Sequence, residues 1–599
     1  MKALSFYSML SLFVLVISIL TVSPLVQAEA NRDKPPYSLT LEQVESWSIT
    51  SKLADKNNIA KVSLQPRFVA QLNETKQPLD GQVKVLIAPD GMNNLANFSQ
   101  PQNKFNLYNF THWSYVDVLN WFTGAATVNI PARPWVEAAH RNGVKVIGTV
   151  FFTPAVYGGK AETVAKLLEM NDDGSFPYAD KLIKLAKYYR FDGWLMNQET
   201  DLTVIKNANN EIVEGHFDYV NAAKLAKKMQ RFMAYLTRVA PKHMEIHWYD
   251  SMLLDGSVKW QNQLNDLSSP FLQTSMGNGI NVNKKVSSRV SDSVFLNYWW
   301  DADMVKDSVT HVNSLNRSAY ELYFGADLWP DRNAQRLFQR RDWLDSLFSE
   351  DGSKALSSIA LFANNGSFIF PGSKSLAAYS NFQNDSKDYL SFYQSEVRLF
   401  SGDDLNVHRD DAQPNWPGLG RYIPAKSTLS QLPFTTSFNT GHGKLTAHNG
   451  KIKQGEWHDV AQQDILPTWQ FAIKGNEALS VFYDFEQAYN GGNSLAIRGD
   501  LNHGSANIPL YQSAFNLNKD SKIEIIAKQT SLGKHMSIWL LTTDGDLISI
   551  PFKFVDNQWH KQVMSLAKYS GKTIKKIGLQ LDKGLITNYS ANIGYLGIK

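Results

Sequence analysis

The stretch Phe191-Asp192-Gly193-Trp194-Leu195-Met196-Asn197-Gln198-Glu199-Thr200 opens apolar and closes polar. Side chains at i and i+2 of a β-strand project from one face, about 6 to 7 Å apart along the chain. If this stretch is a strand, Asn197 and Glu199 point the same way at its polar end. A carboxyl group so placed can move a proton, and an amide beside it can hold a polar substituent. The two can therefore each touch a different part of one sugar ring. The same residues can equally cap the loop that follows a strand. Asp192, at the other end of the stretch, reads as structural.

A strand delivers such a pair to a cleft only if its neighbours build a rigid frame. From about Gln82 to Asn365 the sequence alternates short β-rich apolar runs with amphipathic helical stretches. The runs are Val83–Ala88, Tyr115–Leu119, Val144–Phe152, Phe191–Glu199, Met244–Asp250, Ser293–Trp300, Tyr320–Asp327 and Ile359–Asn364. Strands alternating with helices predict βα units on a parallel sheet, and continuous apolar runs fit strands buried on both faces. Eight such units predict an α/β fold, a (β/α)8 TIM barrel, whose active site lies at the C-terminal ends of the strands. Trp135–Arg141 is predicted as a helix ended by the left-handed pair Asn142-Gly143, and Phe217–Val239 as a long helix stopped at Pro241. Beyond about Phe400 the helical period disappears. Alternating runs at Lys522–Ala527, Met536–Thr542, Leu547–Phe554 and Lys576–Leu581, with turn residues between them, predict a C-terminal all-β sandwich. The expected organisation is a signal peptide over 1–28, an N-terminal extension over 29–78, the catalytic barrel over 79–400, an irregular or β linking region over 401–470, and an accessory β-sandwich over 471–599.

Composition narrows the function classes. The 599 residues carry 60 basic and 56 acidic side chains, a net charge of +4, which gives no electrostatic footprint for nucleic acid. At 43% hydrophobic the chain can bury a sizeable core, which excludes wholesale disorder. The absence of cysteine excludes disulfides, thiolate metal sites, iron–sulfur clusters and cysteine nucleophiles. The 13 histidines form no His-Glu-x-x-His pattern, and neither a metal nor another cofactor is expected. The 16 Trp and 24 Tyr supply aromatic surfaces of the kind that hold sugar rings. In the first 28 residues Lys2 is the only charge, an apolar stretch runs from about Met9 to Thr21, and Val26-Gln27-Ala28 offers small residues at a cleavage spacing. That pattern predicts a cleaved secretory signal, a secreted, periplasmic or cell-surface location, and no stable membrane insertion afterwards.

Phe-Asp-Gly-x-x-x-Asn-x-Glu closing a barrel strand resembles the glycoside hydrolase family 85 endo-β-N-acetylglucosaminidases. The likeness extends, in the family's order, to His112-Trp113-Ser114-Tyr115-Val116-Asp117, Ile130-Pro131, the run from Ala138 to Thr149, Trp248-Tyr249-Asp250-Ser251 and Gly325-Ala326-Asp327. It continues past the barrel in Gly418-Leu419-Gly420-Arg421-Tyr422-Ile423-Pro424 and Gln463-Asp464-Ile465-Leu466-Pro467-Thr468-Trp469. The resemblance implies cleavage of the GlcNAc-β1,4-GlcNAc core of N-glycans, with N-linked glycans or glycoproteins as partners and one GlcNAc left on the protein. Most glycosidases pair two carboxyl groups, and here the partner of Glu199 is an amide. The family's solution is substrate assistance. The sugar's own 2-acetamido oxygen attacks the anomeric carbon to give an oxazoline, Glu199 serves as acid and then base, and Asn197 orients the acetamido N–H. The resemblance also implies that the Tyr249 hydroxyl contacts the acetamido group. Strand-end positions suggest Trp299 or Trp300 as an apolar wall, Asn364 or Asn365 as a partner for sugar hydroxyls, and Asp327 as a hydrogen-bond partner for sugar or for an arginine. A chitinase-like reading, acting on chitin or peptidoglycan, would require Asp at 195 and 197, where the chain has Leu195 and Asn197. A non-catalytic glycan-binding barrel is the remaining alternative. In the predicted sandwich, Tyr489 is a candidate aromatic contact for carbohydrate.

Overall fold

In a computed structural model, residues 38–69, 79–95, 98–124, 126–272, 289–329, 342–371, 380–403, 416–470, 472–530, 533, 535–554 and 556–599 are described. The stretch read as a signal peptide lies outside them. Eight strands form the frame: β1 Val85–Ala88, β2 Val118–Asn120, β3 Lys145–Phe152, β4 Gly193–Gln198, β5 Glu245–Tyr249, β6 Ser293–Leu296, β7 Leu322–Asp327 and β8 Ser358–Phe362. Each pairs in parallel with the next in sequence. β8 pairs in parallel with β1, which closes the sheet into a barrel. Each of the eight apolar runs overlaps one of these strands; six contain theirs whole, while β2 runs one residue past Leu119 and β8 starts one residue before Ile359.

Burial on both faces explains why the runs read as continuously apolar. All residues of β1, β2, β4, β6, β7 and β8 are buried. Alternate residues fill the barrel: Leu86, Val118, Ile147, Leu195, Tyr249, Phe295, Tyr323 and Ala360 pack into one interior cluster. Their strand neighbours, such as Ile87, Val146, Trp194 and Phe324, join the outer core against the helices. The helices flanking the strands are α1 Arg133–Arg141, α2 Pro177–Tyr189, α3 Tyr219–Val239, α4 Ala302–Ser314 and α5 Tyr389–Ser401. α1 ends at Asn142 with Gly143 in the left-handed region at φ 70°, where an added Cβ would lie 2.8 Å from the Gln65 carbonyl oxygen. α3 starts two residues later than its amphipathic pattern predicts. Asp218 caps it, accepting from the backbone N–H of Asn221 at 2.9 Å, and Phe217 closes a hairpin of Val204–Lys206 and Ile212–Phe217 instead. That hairpin rises directly from the β4 end, between Glu199 and α3.

The remaining described chain binds to the barrel rather than trailing from it. Ser38–Leu39, from the predicted N-terminal extension, pairs antiparallel with Val128–Asn129, and Phe68–Val69 pairs with Lys426–Ser427. Within 401–470, strands β9 His442–His448 and β10 Lys451–His458 form a hairpin around Asn449-Gly450, both with positive φ (51° and 75°). Phe434–Thr436 pairs with Tyr589–Ile598 and so already belongs to the C-terminal sheets. Those are two antiparallel sheets. One runs Leu479–Asp484, Ser494–Gly499, Tyr589–Ile598, Lys522–Gln529, His560–Ser565, and the other Lys474–Gly475, Ala506–Asn516, Thr573–Leu581, Met536–Thr542, Leu547–Pro551. Phe434 of the first and Tyr511 of the second meet edge-on at 4.9 Å.

Candidate active site

The lower end of β4 shows why Asp192-Gly193 precede the polar pair. The Asp192 carboxylate accepts from the backbone N–H of Val146 on β3 and from Nε2 of His140 on α1, both at 2.8 Å. Burial alone would pull His140 down, but Asp192 and the Val62 carbonyl outweigh it and hold the imidazole above its ordinary value. Gly193 has φ 145°, and a Cβ there would stand 1.9 Å from the Glu245 carbonyl oxygen on β5. Strand parity then does the aiming. Leu195 fills the barrel interior, so Asn197 and Glu199 point inward above it, while Gln198 turns out and spends its amide on Thr200 and Met252. Asn197 is buried, Glu199 half-buried, and Nδ2 of Asn197 donates to Oε2 of Glu199 at 2.9 Å.

Tyr249 reaches the same cleft from β5. The register Trp248 to Met196 sets it level with Asn197, and burial, together with the nearby Tyr298, Glu199 and Asp250, pushes its hydroxyl well above the ordinary value. It therefore stays protonated and donates to Oδ1 of Asn297 at 2.8 Å. Asn297 is fixed in turn, its Nδ2 donating to Oδ1 of Asn262 at 3.0 Å. The Asp250 carboxylate accepts the backbone N–H groups of Gln261 at 3.1 Å and Asn262 at 2.6 Å. Burial pushes Asp250 up to about 7, against these donors, which hold it down. A chain of hydrogen bonds thus runs Asp250, Asn262, Asn297, Tyr249 along the rim of β5 and β6. Gly325 on β7 makes room above it: a Cβ there would lie 2.7 Å from the Tyr298 ring and 2.8 Å from that of Phe295.

A barrel whose fourth strand ends in an inward-facing amide and carboxyl invites comparison with known proteins. The family model described as Glycosyl hydrolase family 85 matches residues 92–446. The chain belongs to glycosyl hydrolase family 85. Two relatives are the cytosolic endo-β-N-acetylglucosaminidases of Mus musculus, 28% identical over 77% of this chain and 52% of the relative, and of Homo sapiens, 27% identical over the same shares. The chain spans about half the length of these curated relatives. Its fold is similar to that of the Endo-D glycoside hydrolase domain from Streptococcus pneumoniae R6, with a TM-score of 0.76, 25% identity, and coverage of 94% of this chain and 83% of that one. The relatives correct one expectation. Export to a secreted, periplasmic or cell-surface location rested on the first 28 residues alone, whereas the matched proteins of mouse, human, chicken, zebrafish and Arabidopsis thaliana are all named cytosolic.

In this family 85 chain the remaining candidate residues fall in different places. Asp327 ends β7 with the inward parity of Tyr323, and its Oδ1 accepts the Trp329 backbone N–H at 3.0 Å. Trp299 stands on the loop above β6, 64% exposed, with its backbone N–H on Oδ1 of Asn262 at 3.0 Å. Trp300 lies outside the barrel wall. Its indole donates to the Gly325 carbonyl at 2.8 Å, and its ring packs on Phe324 at 5.3 Å and Trp343 at 6.3 Å. Asn365 spends both ends of its amide on the backbone of Asp90, at 2.9 and 2.8 Å, tying the β8 end to the β1 end. The structure therefore brings Asn197, Glu199 and Tyr249 together, and keeps Trp300 and Asn365 in the frame. Sequence reading passed over Asn262 and the part played by Asp250. Asp250 sits in the recognisable Trp248-Tyr249-Asp250-Ser251 run, but Asn262 carries no signal, since its role depends on a left-handed backbone at φ 58°.

Proposed function

We propose that the chain is an endo-β-N-acetylglucosaminidase that cleaves the GlcNAc-β1,4-GlcNAc core of N-glycans by substrate-assisted, retaining catalysis. The observation that carries this reading is the hydrogen bond from Asn197 to Glu199 at the barrel mouth. With Nδ2 spent on the carboxylate, the Oδ1 of Asn197 is the acceptor left for an acetamido N–H. Holding that group turns its oxygen toward the anomeric carbon, and an intramolecular attack of this kind gains several kcal/mol from positioning alone. Glu199 protonates the departing glycosidic oxygen, then takes the proton of the incoming water as the oxazoline opens. The Tyr249 hydroxyl, protonated and anchored on Asn297, supports the acetamido group from the β5 side. Membership of family 85 and the endo-β-N-acetylglucosaminidase names of the relatives support the substrate class.

The test is mass spectrometry of a defined N-glycoprotein after incubation. A single GlcNAc should remain on each processed Asn. Release of the complete glycan, or no release at all, overturns the reading. Glu199→Gln should slow this cleavage about 10³-fold, because general acid–base groups contribute on the order of 10² to 10⁴, and near-normal turnover by that variant reassigns the acid.

A further inference from the structure

Away from the barrel mouth, a cavity of about 590 Å³ opens where the β9–β10 hairpin meets the barrel's first βα connection and the loop at Asn490-Gly491. We propose that this cavity is a second binding site, for a neutral saccharide. Its lining includes Trp457, Thr446, His448, Asn449, Asn490 and Gln462. Among the described residues, no Asp, Glu, Lys or Arg lines it. A charged ligand would find no counter-charge there, and an apolar one would strand amides against hydrocarbon. A polyhydroxylated neutral ring meets the opposite situation. Side-chain amides offer a donor and an acceptor each, as vicinal hydroxyls require, and an indole offers carbon surface for the sugar's C–H face. The volume lies within the roughly 300 to 1,000 Å³ of small-ligand sites.

His448 and Asn449 bond each other at 3.3 Å through Nε2 and Nδ2, and the other walls are held in place while keeping hydrogen-bonding capacity for a ligand. The indole N–H of Trp457 donates to the Leu445 carbonyl at 2.8 Å, fixing the ring and leaving its carbon surface. Asn490 accepts the Asn449 backbone N–H on Oδ1 at 2.9 Å, and its Nδ2 has no partner among the described residues. Gln462 donates to Asp459 at 3.1 Å, and its Oε1 has none there either. The Thr446 hydroxyl is exposed and likewise without a hydrogen bond among the described residues. Behind them the scaffold is rigid. Ala447 and Gly491 exchange two backbone hydrogen bonds, at 2.8 and 3.0 Å. Gly491, at φ 73°, sits where a Cβ would press to 2.5 Å from the Asn439 amide. Asn439 itself donates to the Gln462 carbonyl at 2.8 Å and accepts from Gly441 and Gly492. Donors and acceptors held in advance on a stiff frame lower the ordering cost of binding. Tyr489, one aromatic that the sequence offers for carbohydrate, packs against Trp559 at 5.7 Å beside the cavity and is not among the lining residues.

The inference does not rest on the reading of the barrel mouth. It is tested by native affinity electrophoresis of the full chain through gels containing yeast mannan, the β-1,3-glucan laminarin, or a β-1,4-galactan, which separates mannose, glucose and galactose sources. Retardation is expected in at least one polysaccharide, weakened about tenfold or more by Trp457→Ala and by Thr446→Arg. Thr446→Arg fills the cavity from an exposed strand position, so its thermal midpoint should match the parent's even if Trp457→Ala loosens the hairpin. Migration unaffected by all three polysaccharides overturns the proposal. So does retardation that survives Thr446→Arg in a protein of unchanged thermal midpoint, since the binding then lies elsewhere.

Discussion

Asn197 and Glu199 hydrogen-bond each other at the end of β4, so under the proposed mechanism the strand itself holds the pair in place. Under that mechanism, Asn197 is needed to bring the acetamido oxygen onto the anomeric carbon, and is not needed once the oxazoline exists. Asn197→Ala should therefore lose intact-glycan cleavage about 10²-fold or more while still consuming a preformed sugar oxazoline; equal losses on both substrates, measured by product release, would contradict the assignment. Asn297 acts one step back. Removing the Oδ1 that receives the Tyr249 hydroxyl leaves a buried donor unpaired, at a cost of about 1 to 3 kcal/mol, and lets the ring turn. For Asn297→Ala we expect kcat to fall about tenfold with KM little changed; a rise in KM alone would place Asn297 in ground-state binding. The Asn197–Glu199 pair is legible in sequence because the i, i+2 relation is local. The chain through Asp250, Asn262 and Asn297 joins residues separated by 12 to 48 positions, and the barrel must close before it exists.

Elements make the second scale. The eight strands are readable because each is buried on both faces and so writes an uninterrupted apolar run. The hairpin before α3 is not, since Ile212–Phe217 is largely exposed and Phe217 continues the helical pattern by accident of spacing. Glycine is required where β4 and β5 approach closely. At Gly193 a side chain would combine an unfavourable backbone conformation with a collision against Glu245, each worth about 1 to 3 kcal/mol. Gly193→Ala is therefore expected to cost about 3 kcal/mol or more in urea unfolding. It should depress activity even where the protein folds, because β4 must shift against β5 and carries Asn197 and Glu199 with it. A loss below about 1 kcal/mol would mean the strand ends are looser than their hydrogen bonds imply.

At the scale of the whole molecule, the segments that resemble the family outside the barrel are the cement between barrel and accessory sheets. Trp113 donates from its indole to Gln463 at 2.6 Å, Gln470 to the Thr111 carbonyl at 2.9 Å, and Arg141 to the carbonyls of Ala461 and Gln463. Sequence flagged several of these residues without revealing their purpose, because a residue buried between two units looks like any other core residue until both are placed. Two histidines in this junction make it sensitive to acid. His458 donates to the Tyr108 carbonyl at 3.0 Å and His442 to that of Phe105 at 2.9 Å. Burial pulls His458 down to about 4 and His442 well below its ordinary value. Both are neutral in the fold, whereas the unfolded chain takes up their protons below about 6.5. Their contribution is complete above that pH and is lost as the pH falls toward 4. Asp250, raised to about 7, works in the opposite direction, favouring the fold as it gains its proton. The net curve therefore mixes signs, and a difference measurement is needed. His458→Gln keeps a donor for the Tyr108 carbonyl and removes one titration. Between pH 7 and pH 4 the parent should lose roughly 3 kcal/mol more unfolding free energy than this variant, at about 1.4 kcal/mol for each unit of displacement. Because Asp250 is common to both proteins, its contribution cancels. Parallel losses in the two would mean that His458 takes its proton while still docked, and that acid acts on the fold somewhere other than this junction.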